Sequence, residues 1–258
     1  MTRPRDTQRL HGVHCALEAL RARRRPLGRL LVRRGRRRPE VEAVVRAAQE
    51  AGVEVVEVDE GQIGRPPGPG SPAQAVALEA GPLPEVDLTE LVEPVAAGGR
   101  PRPPRLVALD GVEDPQNVGA IARVAESAGA DGLILTQRRS PPLGPALARA
   151  SAGAVEWLPV ARVPNLRNAL KLLKTEGFWT IGAEPDGSVS LFEAQDSITQ
   201  GALVVVLGAE GKGLRPGVLD EIDHRVRIPM AGRIESLNVA TAAAVVLFEL
   251  LRRDPTRR

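Results

Sequence analysis

The sequence has no tyrosine, three phenylalanines and two tryptophans among its 258 residues. Its interior must therefore be built from Ala, Val, Leu and Ile, and little is left for the aromatic platforms on which some domains stack nucleic-acid bases. Any nucleic acid would be held by charge and shape. Cys15 is the only cysteine, which excludes an intrachain disulfide and any zinc site built on several thiolates, and it fits a reducing compartment. His11, His14 and His224 are scattered without carboxylate or thiol spacing, so no metal site is expected. No apolar run approaches the ~18 residues that span a bilayer, and the charged start MTRPRDTQRLHG lacks the apolar stretch of a secretory signal. The expectation is a soluble, cytoplasmic protein with no membrane partner.

Charge of one sign is scarce only in part of the chain. Residues 1–46 hold 14 arginines and the four acids Asp6, Glu18, Glu40 and Glu42, a net charge of +10, which leaves −7 for residues 47–258. Such a basic block reads as a contact for nucleic acid or another anionic surface, with Arg23, Arg24, Arg33 and Arg36 as candidate phosphate partners. The preference for Arg over Lys, 32 against three, carries less meaning than the clustering. With 43% hydrophobic residues, and Gly 26 and Pro 23 together below the ~25–30% typical of disorder, the chain is a folded protein of one large or two smaller domains.

Periodicity predicts two α/β halves. In the first, GVHCALEALRARR (12–24) reads as a helix with Val13, Leu17 and Leu20 on one face, RLLV as a strand, PEVEAVVRAAQEAG (39–52) as a helix between Pro and Gly, and VEVVEV (53–58) as a strand. GRPPGPGSP (64–72) reads as a mobile loop, AQAVALEA as a strand and VDLTELVE (86–93) as a short helix. AAGGRPRPP (96–104) has the composition of a linker, placing one domain at 9–95 and a second at 105–258. In the second half the strands LVALD, GLILT, WLPVARV, FWTIGA, ALVVVLG and HRVRIPM are nearly continuously apolar, the mark of a parallel sheet covered on both faces. VGAIARVAESAGA (118–130), LGPALARASAGA (143–154), LRNALKLLKTEG (166–177) and SLNVATAAAVVLFELLRR (236–253) read as helices.

Polar groups concentrate where these strands end and helices begin, in DGVEDPQNVGAIAR (110–123), VLGAEGKGL (206–214) and IPMAGRIESLNVA (228–240). Ligand sites of open α/β sheets form at such places. GAEGKG is not a nucleotide-triphosphate loop, because Lys212 precedes the second glycine and no Ser or Thr follows, and it is not the dinucleotide pattern either. Asn117 could serve as the N-cap of the helix after it, Arg123 could pair with Glu126 on a solvated face, and Ser236 and Asn238 could cap the last helix.

In order, wording and spacing these three segments resemble the SpoU (TrmH-like) branch of the SPOUT RNA 2′-O-ribose methyltransferases, with NVGAIAR, LGAEGKGL and IPMAGRIESLNVATAAAV as its three motifs over residues 105–252. The start LHGVHCALEAL resembles the small αβα substrate-binding domain of the bacterial 23S rRNA (guanosine-2′-O)-methyltransferases. The resemblance implies an α/β protein with a parallel-sheet carboxy-terminal SPOUT domain, a deep trefoil knot and a homodimer formed through that domain. It implies S-adenosyl-L-methionine as cofactor, held around Leu207, Gly208, Ile228, Met230 and Leu237, and ribosomal RNA as partner. It assigns the reacting site to Arg123, with Asn117, Glu210, Ser236 and Asn238 orienting it. Free arginine stays protonated, so Arg123, held by a phosphate or by Glu210, is expected to stabilise the developing alkoxide. The implied target is a guanosine in the peptidyl-transferase loop of 23S rRNA. A tRNA ribose, another rRNA site, or a non-catalytic RNA-binding assembly factor are the alternatives.

Overall fold

The computed structural model describes residues 7–66, 74–96 and 102–254. Most of the loop expected at 64–72 and of the linker expected at 96–104 lies outside the described residues. The chain divides into two compact units, Met1–Pro84 with Pro141–Trp157, and Glu85–Ser140 with Leu158–Arg258.

In the first unit β1 (Gln8–His11), β2 (Leu27–Arg33), β3 (Val55–Val58) and β4 (Val76–Ala80) form a mixed sheet in the order β1-β4-β2-β3. β4 runs antiparallel to both β1 and β2, and β2 is parallel to β3. Helix α1 (Val13–Ala22) buries Cys15, Ala16, Ala19 and Leu20, and α2 (Pro39–Glu50) buries Val41, Val44, Val45 and Ala48, in each case the one stripe that i, i+3/i+4 spacing creates. Pro39 opens α2 at a position where its missing N–H costs nothing. The short α3 (Glu60–Ile63) is closed by a capping box between Asp59 and Gln62. Burial pushes the Cys15 thiol up to about 12, so it is an inert core group.

The first unit also takes in residues 141–157, which sequence order assigns to the second domain. The reason is local chemistry. Leu147, Ala148, Ala154 and Val155 are buried there, and Arg25 makes a two-pronged ion pair with Glu156, 3.0 and 2.8 Å, with both side chains fully buried. Arg25 donates further to the Gly81 carbonyl (3.2 Å), and Trp157 donates to Glu18 (2.8 Å).

The second unit contains α4 (Leu88–Ala96), β5 (Arg105–Asp110), α5 (Pro115–Ser127), β6 (Gly132–Thr136), β7 (Val160–Val163), α7 (Leu166–Thr175), β8 (Trp179–Ala183) and β9 (Val189–Ser190). It continues with α8 (Asp196–Thr199), β10 (Leu203–Gly208), α9 (Pro216–Leu219), β11 (His224–Arg227) and α10 (Val239–Arg252); α6 is the helix Pro145–Ala150 of the first unit. Helix α4, expected in the first domain, belongs here because Leu91 and Val92 are buried with Leu106, Ala161 and Leu166. The seven strands lie in the order β7-β6-β5-β10-β8-β11-β9, and every pairing is parallel. All residues of β5 and β6 are buried, as the continuous apolar runs require. Because the strands are parallel, Asp110, Thr136, Ala183, Gly208 and Arg227 all end on one edge of the sheet. α10 packs against α5, and Ala240 and Ala243 are buried in this packing. Among the described residues no helix is long and apolar enough to cross a membrane.

The buried pair yields a stability prediction. Arg25→Ala leaves Glu156 as an uncompensated buried charge and is expected to cost roughly 3–5 kcal/mol in urea unfolding of the full chain. A loss below ~1 kcal/mol, the size expected of an exposed pair, contradicts the account of how residues 141–157 are held.

Candidate active site

The site grows from three strand ends. β5 runs into the turn 111–114, where Asp114 caps α5 by accepting from the Gln116 N–H (2.9 Å). Helix α5 therefore begins at Pro115 and Asn117 sits in its first turn, so Asn117 is not the cap but has its side chain free for other partners. β10 ends at Gly208 and turns through 209–213, where the Gly213 N–H donates to the Ala209 carbonyl (2.9 Å) and the two residues form an isolated antiparallel bridge. The turn closes so tightly that a Cβ on Gly208 would overlap the backbone of Gly213. Gly211 and Gly213 have positive φ, 72° and 60°. Gly208 is required for close approach instead, and Gly232 faces open space. The third end is the N-terminus of α10, capped by Asn238, whose Oδ1 accepts from Ala240 N–H (2.9 Å) and Thr241 N–H (3.3 Å).

Asn117, Glu210 and Asn238 form one hydrogen-bonded triangle. Asn117 Nδ2 donates to Glu210 Oε1 (3.1 Å), Asn238 Nδ2 donates to Asn117 Oδ1 (3.0 Å), and Asn238 Nδ2 donates to the same Glu210 oxygen. The carboxylate thus locks the first turn of α5, the 209–213 turn and the cap of α10 together. Behind it, Asp110 is buried at the end of β5 and accepts from the Arg215 backbone N–H (2.8 Å) and Nε (2.7 Å), which fixes where the chain leaves the turn.

Beside the triangle lies a cavity of about 670 Å³, within the ~300–1,000 Å³ range of small-molecule sites. Leu207, Gly208, Ile228, Met230 and Leu237, the expected cofactor residues, all line it, as do Glu210, Ser236 and Asn238. Its walls combine main chain and apolar side chains with four carboxylates, Glu184, Asp186, Glu210 and Glu235, against one ammonium, Lys212. Burial pushes the Glu184 carboxyl up, opposed by its hydrogen bond from the Leu214 N–H (2.9 Å). An open, mostly apolar slot with a carboxylate excess suits a ligand that is part apolar and carries net positive charge. S-adenosylmethionine, with a sulfonium and an ammonium against one carboxylate, is such a ligand.

Arg123 lies exposed on α5 and has no hydrogen-bond or ion-pair partner among the described residues. It is not paired with Glu126, nor with Glu210, whose Oε1 accepts from Asn117 and Asn238 instead; the expected Glu210 contact is thereby corrected. Of the four arginines expected as phosphate partners, Arg23 donates to the Glu50 carbonyl (2.9 Å), half-buried Arg24 to the Glu156 carbonyl (3.3 Å), and Arg33 pairs with Glu60 (3.3 Å). Arg36 is exposed and, among the described residues, unpartnered; Arg34 and Arg38 on the same loop are exposed as well. Glu184 and Asp186 went unread in the sequence, although EPDG directly after an apolar strand is the signal that finds them: polar residues at the carboxyl end of a parallel strand.

A parallel α/β sheet with a cofactor-sized cavity at its carboxyl edge is the arrangement of an α/β enzyme. The chain belongs to the SpoU rRNA methylase family, whose family model matches residues 104–248; a second model, for RNA 2′-O ribose methyltransferase substrate binding, matches residues 9–85. It is 34% identical over 254 residues, 97% of this chain and 98% of the relative, to the 23S rRNA (guanosine-2′-O-)-methyltransferase RlmB of Pseudomonas syringae pv. tomato. Among solved structures it is similar to the AdoMet-bound rRNA methyltransferase of Sinorhizobium meliloti, with 28% identity, a TM-score of 0.73, and coverage of 95% of this chain and 87% of that one. It shares its fold with the SpoU methyltransferase AviRb of Streptomyces viridochromogenes, at 24% identity, a TM-score of 0.76, and coverage of 95% and 89%.

The close approach at Gly208 is testable. Gly208→Ala must displace the 209–213 turn, and is expected to lower stability by about 1–3 kcal/mol, as overpacking does, and to abolish ligand binding in the cavity. Calorimetric titration and thermal melting check both, and wild-type values in this variant contradict the geometry.

Proposed function

We propose that this protein transfers the methyl group of S-adenosylmethionine to the ribose 2′-hydroxyl of a guanosine in 23S rRNA. The observation that carries the reading is the likeness, over nearly the full length of both chains, to a 23S rRNA (guanosine-2′-O-)-methyltransferase. The site supports it: the residues expected to hold the cofactor converge on one cavity, and three of the four expected to orient the site, Asn117, Glu210 and Asn238, are hydrogen-bonded to one another beside it.

The cavity residues Leu207, Gly208, Ile228, Met230 and Leu237 hold the cofactor, which supplies an electrophilic methyl group. The hydroxyl is a weak nucleophile until negative charge on its oxygen is stabilised. Arg123 does this as a cation, since an arginine guanidinium in a protein keeps its proton, and the proton lost from the hydroxyl passes to water. With no acidic partner among the described residues, its charge stays undiminished for the substrate. Asn117, Glu210 and Asn238 keep α5, which carries Arg123, in register with the cavity loops, and Ser236 faces the cavity for the ribose.

The first unit is the RNA-anchoring domain and the second is the methyltransferase domain; the stretch 96–104, expected as the linker between domains, falls within the second unit, which begins at Glu85. The exposed loop with Arg33, Arg34, Arg36 and Arg38 supplies phosphate contacts, which position RNA without reading its sequence. The trefoil knot and the homodimer through the carboxy-terminal domain belong to the same reading, and the exposed side chains of Ile234 and Phe248 offer apolar surface to a second copy. The protein works in the cytoplasm, where its RNA is.

The test is incubation with methyl-labelled S-adenosylmethionine and unmodified 23S rRNA, followed by nucleoside mapping. Label is expected as 2′-O-methylguanosine, in the peptidyl-transferase loop; label on another nucleoside or no label overturns the assignment. Arg123→Ala should lower the transfer rate by about 10²–10³-fold with cofactor affinity unchanged, because Arg123 does not line the cavity; a near-normal rate removes it from the mechanism. Replacing Arg33, Arg34, Arg36 and Arg38 together by Gln should weaken RNA binding and flatten its logarithmic salt dependence, by about 0.7–0.9 in slope for each phosphate no longer neutralised. An unchanged slope excludes that loop as the anchor.

A further inference from the structure

Glu184 follows β8, the strand between β10 and β11, and thus stands next to the central strand on the sheet edge that carries the cavity. Its backbone N–H donates to the Val226 carbonyl (2.9 Å) and its carbonyl accepts from the Gly187 N–H (3.1 Å), so the main chain is held on both sides. One carboxylate oxygen, Oε1, accepts the Leu214 N–H at 2.9 Å. The other, Oε2, lies where a Cβ on Gly213 would come within 2.9 Å, and no donor among the described residues reaches it. The residue lines the cavity and is only half exposed.

A half-buried carboxylate with one oxygen anchored and the other without a donor is an unfinished hydrogen-bonding arrangement, and burial makes its charge costly until a donor arrives. Arg225 is the cation that acts on Glu184, and it is committed to Asp186 at 2.6 Å; Lys212 lines the same cavity and makes no hydrogen bond to Glu184. Water reaches this oxygen from the open cavity, and a ligand that enters can take the water's place as donor.

We propose that Glu184 is a cofactor-binding residue whose free carboxylate oxygen accepts a hydrogen bond from the bound methyl donor. This rests on the reading that the cavity holds S-adenosylmethionine. Two groups of that molecule can supply the donor, the α-ammonium and the ribose hydroxyls. Glu184 also braces Leu214, so it couples cavity occupancy to the position of the 209–213 turn that carries Glu210.

The experiment is calorimetric titration of the full-length wild type and Glu184→Gln with S-adenosylmethionine and with 5′-methylthioadenosine, which keeps the ribose hydroxyls but lacks the ammonium. Gln retains an oxygen for the Leu214 N–H, so the turn is kept. Affinity for S-adenosylmethionine is expected to fall by about tenfold or more, as removal of a charge-assisted hydrogen bond predicts. If the affinity for methylthioadenosine falls in proportion, a ribose hydroxyl is the donor; if it is unchanged, the ammonium is. Unchanged affinity for S-adenosylmethionine overturns the inference, whereas failure of the wild type to bind it overturns the cofactor reading instead. Should Glu184→Gln fail to fold, a crystal structure of the wild type with S-adenosylmethionine decides: a ligand donor within ~3.2 Å of Glu184 is expected, and a nearest donor beyond that reach overturns the inference.

Discussion

The register of β10 against β5 is the constraint on which the site depends. Six consecutive residues pair in parallel, from Leu203 opposite Arg105 to Gly208 opposite Asp110, so the two strands end side by side. Every backbone group of this buried pair must be satisfied within the sheet, and a slip of one residue would turn the buried faces over. With the ends aligned, the turn after Gly208 stands beside the start of α5, and Glu210 reaches Asn117. The hydrogen bonds from Arg215 to Asp110 fasten the far side of the same turn.

The carboxylate of Glu210 then joins three separate segments. Its acceptor oxygen is shared by two amide donors, and Asn238 in turn directs its own oxygen to the first N–H groups of α10. A capping interaction and an active-site network are thus made by one side chain. Helix capping alone is worth about 1 kcal/mol; here it also sets the angle at which α10 leaves the cavity. Arg123 has no such partner among the described residues, and stands out in a chain whose other structured arginines are mostly tied to carboxylates or carbonyls.

Charge is distributed to match. The first unit carries the Arg-rich loop at 33–38, while the cavity in the second is walled by carboxylates. The basic loop and the acidic cavity thus belong to different units of one chain. Buried electrostatics serve a separate purpose: the pairing of Arg25 with Glu156 holds residues 141–157 to the first unit and takes no part in the site.

Much of this was legible in the residues. The strands of the second half stand out because a sheet buried on both faces demands unbroken apolar runs, and the three motifs stand out because polar residues and glycines follow them at once. The helices α1 and α2 announce themselves by spacing. The short strand QRLH carries too few apolar residues to show a period, so β1 is visible only once β4 pairs with it. The elements, the class of chemistry and the chemically capable residues follow from local propensity and side-chain identity, and so could be read along the chain. No local rule contains the rest: that side chains 93, 28 and 121 positions apart share hydrogen bonds, and that residues 141–157 leave the domain their order implies. Folding also gives Arg23, Arg24 and Arg33 partners within the chain while leaving Arg36 and Arg123 without one among the described residues. Pairing and burial depend on distance in space, and strand order in the sheet, not order in the chain, sets that distance.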